Sequence, residues 1–173
     1  LLDNSLAKES ELFIYADGAR NIEDKKSVKE VRSYIQTIRG FKKVTIIEQN
    51  ENKGLARSII DGVTEQVNHF GKVIVLEDDL VVAPYFLTFM NQALELYQDE
   101  PRVGHIQACD FTNSTELPHT FLIRWTGSWG WATWKDSWAL FNPNGQELLR
   151  ELKKRKLNKI FDFNGAYPFT KML

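Results

Sequence analysis

With a single cysteine, Cys109, in 173 residues, the chain cannot form an internal disulfide, and no spacing of Cys and His resembles a zinc site. A reducing compartment, the cytoplasm, is therefore expected. Charge of one sign is lacking too. The 22 Lys and Arg face 23 Asp and Glu for a net charge of −1, so the chain as a whole exerts no long-range pull on nucleic acid or anionic lipid. Long apolar runs are missing. Runs such as 73–76 and 80–83 are split by acids and far too short to cross a bilayer. No signal peptide, repeat, low-complexity tract or linker is visible.

What is present is a core. Hydrophobic residues make up 43% of the chain, enough for one ordinary domain over 1–173 and too many for disorder. The chain opens at Leu1 and closes at Met172-Leu173 within a helix-like pattern, so it is expected to be a fragment.

Residues 12–16 (LFIYA) form a short apolar run ended by Asp17-Gly18, which reads as a buried strand entering a turn. Over 22–38, Val28, Val31, Ile35 and Ile38 recur at helical spacing, and Gly40 stops the pattern. Residues 44–47 (VTII) are β-branched throughout, as in a strand covered on both faces. Leu55, Ile59, Val63 and Val67 then mark a crossover helix ended by Gly71. Residues 73–76 (VIVL) supply a further strand that stops at Glu77-Asp78-Asp79. A helix is expected after Pro84 through Tyr97, a less buried strand at 103–108, a loop-rich half from Asp110 and a last helix over 146–157. Strand and helix alternating in this way argue for a doubly wound α/β sheet, mostly parallel.

Ligands of open α/β sheets gather beyond the carboxyl ends of the strands. Two acidic turns lie there: Asp17-Gly18 and Glu77-Asp78-Asp79. Three adjacent carboxylates at the end of a buried strand repel one another, and a cation relieves that repulsion. Mg²⁺ and Mn²⁺ prefer carboxylate oxygens, commonly take one or two, and leave positions for water and phosphates. The alternative is a solvated turn in which Asp79 favours the start of the helix near Pro84.

The segment VIVLEDDLVVAPYFLTF resembles the metal-binding region of GT-A glycosyltransferases, especially the inverting N-acetylglucosaminyltransferase I type. The resemblance implies a three-layer α/β/α nucleotide-diphospho-sugar transferase fold, Rossmann-like and truncated at both ends, with the first strand and the C-terminal part missing. It implies that Asp79 ligates Mn²⁺ or Mg²⁺ and that Asp78 and Glu77 contact the ribose and sugar of the donor. Residues 14–18 (IYADG) are similar to the family's second strand, so Asp17 would contact uracil. Residues 127–134 (GSWGWATW) look like the Gly-rich aromatic segment of bacterial sugar transferases, which places Trp129, Gly130 and Trp131 near the donor sugar. The family's general base comes later in the chain, and Asp162 is the one nearby acid that could take the role.

The aromatic segment also has its own chemistry. All five tryptophans lie within 125–138, and flat aromatic faces suit the C–H face of a sugar, although large aromatics equally serve cores. The glycines beside them allow close backbone approach. Lys153 to Lys156 read as a solvated helix face, and the three histidines as structural. Asn52-Lys53-Gly54, with Arg57 one turn on, could meet a phosphate but lacks a full Gly-rich signature.

The expected activity is transfer of a sugar from a nucleotide diphosphate, UDP first, to a hydroxyl of a glycan or glycolipid. The rivals are a nucleotidyltransferase and a non-catalytic carbohydrate-binding domain. If the first strand is missing, the strands at Leu12 and Val73 each keep an open edge, and the chain is expected either to close this gap itself or to pair with another copy as a homodimer through those edges.

Overall fold

A computed structural model describes residues 1–109, 116 and 118–173. The chain divides into two compact units, Leu1–Phe111 with Gly127–Trp138, and Thr112–Thr126 with Ala139–Leu173.

In the first unit, β1 (Glu11–Ala16) and β2 (Lys43–Glu48) pair in parallel, Glu11 opposite Lys43 and Ala16 opposite Glu48. Between them runs α1 (Asp24–Ile35), the crossover that a parallel pair requires. Helix α2 (Leu55–Phe70) ends at Gly71, whose φ of +79° is the left-handed cap its position demands. β3 (Lys72–Val75) follows, then α3 (Phe86–Leu96), β4 (Ile106–Gln107), β5 (Trp131–Trp134) and the single turn α4 (Lys135–Trp138).

The strands form two sheets. β1 and β2 make one; the other has the order β3-β5-β4, with both of its pairings antiparallel. The fold is therefore mixed α/β, and the expectation of a mostly parallel sheet is corrected: one strand pair is parallel and two are antiparallel. The cause is β5, which returns from the aromatic segment and inserts beside β3. The strand expected over 103–108 narrows to two residues, because the Gly104 carbonyl accepts the Thr133 hydroxyl at 2.8 Å instead of joining a ladder. The loop-rich half expected from Asp110 begins in residues outside those described.

Alternation along the strands puts a helix on each face of the three-stranded sheet. Ile74, Leu76, Ile106, Ala132 and Trp134 face α3, packing on Phe86, Leu87, Met90 and Leu94. Val73, Val75 and Trp131 face α2, packing on Val63 and Val67. Helix α2 also bears on the other sheet, since a Cβ placed on Gly62 would lie 3.1 Å from the Tyr15 ring. No side chain of its own caps α3. Asn4, 83 positions upstream, does so instead, its Oδ1 accepting the Leu87 N–H at 2.9 Å.

In the second unit, α5 (Gly145–Lys154) starts at Asn144, whose side chain accepts the Glu147 N–H at 3.1 Å. The turn α6 (Asn158–Phe161) leads to a cluster of Phe161, Phe163 and Tyr167 around Phe169.

Candidate functional site

β3 ends at Val75, and Leu76 leads directly into Glu77, Asp78 and Asp79. Glu77 is half-buried, whereas Asp78 and Asp79 are exposed. The turn is closed by a 3.4 Å hydrogen bond from the Leu80 N–H to the Glu77 carbonyl. The run that follows is not simply core. Val82 packs against the α3 cluster, while Val81 is 100% exposed and Tyr85 75% exposed. The exposure of Val81 was hidden in the sequence, because VVAP reads as uniformly buried.

Antiparallel pairing brings the aromatic segment to the same place. Trp131 sits opposite Val75 in the last pair of the ladder, and Gly130 lies beside Leu76 past the end of β3. A Cβ on Gly130 would meet Leu76 at 3.5 Å and the Phe86 ring at 3.2 Å, and Gly130 holds φ +68°. Glycine is thus required there by the backbone and by Phe86, a neighbour that chain order does not reveal. Of the two site tryptophans, Trp129 is 50% exposed. Trp131 is 7% exposed, lies among Val63 and Val67, and stacks on His105. Its ring is used in packing.

Asp17 follows β1 in the same way but is fully engaged. Its Oδ1 accepts the Gly18 and Lys53 N–H groups, each at 2.8 Å. Its Oδ2 accepts the Gly54 N–H at 2.8 Å and the Asn52 amide at 3.0 Å. Burial favours the neutral acid, yet the three backbone donors outweigh it and hold the carboxyl below its ordinary range. In this arrangement Asp17 clasps the loop that starts α2. The same contacts account for Asn52-Lys53-Gly54, and Asp61 pairs with both Lys53, at 3.0 Å, and Arg57, at 2.8 Å.

Asp162 belongs to the second unit, where its two oxygens accept the Thr170 N–H at 2.7 Å and the Thr170 hydroxyl at 2.8 Å.

The acid triplet and Trp129-Gly130-Trp131 are therefore brought together at one sheet end. No hydrogen bond or ion pair among the described residues joins Asp17 to them. Among those residues, no three His, Cys, Asp or Glu side chains converge as a cage for a metal ion. The exposed oxygens of Asp78 and Asp79 suit a hard cation that takes one or two carboxylates and fills its shell with phosphate and water, which is how Mg²⁺ is usually held. No helix of the described residues is long and apolar enough to cross a membrane. Compared with known proteins, the chain matches no family model, no curated protein and no solved structure.

Proposed function

We propose that the chain is a metal-dependent glycosyltransferase domain of GT-A type, which moves a sugar from a nucleotide diphosphate, UDP first, to a hydroxyl of a glycan or glycolipid. The observation that supports this reading is that Glu77-Asp78-Asp79 leave β3 at the same end of the β3–β5 pair at which Trp129-Gly130 enter β5. Asp79 and Asp78 are the groups that would hold Mn²⁺ or Mg²⁺ together with the donor diphosphate. A divalent cation bound there neutralises charge on a leaving diphosphate. Trp129 offers a flat face to the C–H side of a sugar, and Val81 and Tyr85 flank the same turn. Inversion at the anomeric carbon follows from the family resemblance. Asp162 is a weak choice of base, since Thr170 engages both oxygens. Pairing of two copies through the open edges of β1 and β3 belongs to the same proposal, since each of those strands has one neighbour among the described residues.

Calorimetry with Mn²⁺ and UDP tests the reading. Binding that requires both, and that Asp79→Ala abolishes, is the expected result; a ligand at a hundredfold its Kd adds about 2.7 kcal/mol to stability, which gives a second readout by thermal shift. Binding unchanged by Asp79→Ala, or none at all, overturns it. Stabilisation by an oligosaccharide alone, without metal or nucleotide, transfers the assignment to a carbohydrate-binding domain.

A further inference from the structure

Residues 139–173 lie in the second unit and carry seven Lys and Arg against three Asp and Glu, a net charge of +4 in a chain whose total is −1. Overall neutrality conceals this segregation. None of these residues is buried, although they include α5, which is strongly two-sided. On α5, Leu148, 37% exposed, and the half-buried Leu149 and Leu152 occupy one arc, Lys153 borders it, and Arg150 and Lys154 lie beyond. Arg155 is spent on Glu151 at 2.9 Å. Lys153, Lys154, Lys156 and Lys159 form no salt bridge among the described residues. Apolar side chains stand out from the same stretch, Leu140 at 85% and Met172 at 71% exposure, with Tyr167 and Ile160 also exposed.

We propose that this face docks on an anionic bilayer surface, α5 lying in the headgroup plane with its leucines toward the acyl boundary and its lysines among lipid phosphates. An interfacial helix needs an apolar arc, a cationic flank and low overall hydrophobicity, and α5 has all three. A second copy is the wrong partner, because +4 meeting +4 repels. Nucleic acid would satisfy the lysines but leave Leu140, Met172 and the exposed part of Leu148 in water.

Cosedimentation with vesicles tests the proposal. With phosphatidylcholine containing about one third phosphatidylglycerol, the protein is expected to pellet; with pure phosphatidylcholine it stays in solution, and high salt releases it. Each cation near such a surface is worth about 1 kcal/mol, so Lys153→Gln with Lys154→Gln lowers the partition coefficient about thirtyfold. The same charge change at Lys25 and Lys29, in the other unit, leaves it nearly unchanged. Leu140→Ser with Met172→Ser, both exposed and so tolerable to the fold, weakens the binding that survives salt. No pelleting on anionic vesicles, equal loss from the Lys25 and Lys29 control, or binding to single-stranded RNA without binding to lipid each overturns the proposal. None of these outcomes bears on UDP binding, so the donor-site reading stands or falls separately.

Discussion

His105 lies on Trp131 with ring centroids 5.2 Å apart and planes 19° from parallel, and its Nε2 reaches the Gly127 carbonyl at 3.1 Å. A carbonyl only accepts, so Nε2 carries the proton. Burial disfavours the imidazolium and the carbonyl favours it, and burial prevails, holding the pKa below the ordinary histidine value. Between that lowered value and the ordinary one, near 6.5, the unfolded chain binds a proton that the folded chain does not. Stability is therefore full above about pH 6.5 and is lost as the pH falls toward the folded value. Urea midpoints measured across this window should decline with acidification, and His105→Gln should flatten the decline.

The clasp at Asp17 makes a second prediction. Asp17→Ala strands the Gly18, Lys53 and Gly54 N–H groups at once, with an expected loss of about 2 kcal/mol in urea unfolding. Because the folded carboxyl titrates below its ordinary value, its contribution is complete at neutral pH and disappears as the pH falls below about 4. The variant should consequently lose part of the wild-type acid sensitivity.

Tyr15 offers a spectroscopic test. Its hydroxyl donates to Glu65 at 2.8 Å and accepts from the Gln66 amide at 2.6 Å. Burial, aided by Glu65 and opposed by Gln66, pushes the phenol up to about 12. Ultraviolet titration should reveal one tyrosine ionising there, absent from Tyr15→Phe, which should also lose about 1 kcal/mol.

Gly130→Ala forces a left-handed backbone on a residue with a Cβ and presses that carbon to 3.2 Å from Phe86. A loss of roughly 1–3 kcal/mol follows from the strain, measurable as a lower thermal midpoint. Gly165, also left-handed at φ +94° but with open space around it, should tolerate alanine better.

Much of the first unit was legible in the residues. The runs at 12–16, 44–47 and 73–76 became β1, β2 and β3, and the apolar spacings became α1, α2 and α3, because local periodicity and glycine stops decide such elements. β5 was not legible. Trp131 to Trp134 lie in a Gly- and Trp-rich stretch that reads as ligand chemistry, and its pairing with Val73 and Val75 spans more than fifty residues that no local pattern encodes. The carboxylates divide by the same logic. The exposure of Asp78 and Asp79 could be inferred from their place after a strand, whereas the capture of Asp17 by Lys53 and Gly54, and of Asp162 by Thr170, depends on loops meeting in space.

Helix α2 stands beneath both sheets, with Gly62 under the Tyr15 ring and Val63 and Val67 under β3 and Trp131. Its leading turn is latched by Asp17 alone among the side chains of β1 and its following loop. Tyr15 ties the middle of the same helix through Glu65 and Gln66, so strands of two separate sheets share one helical support.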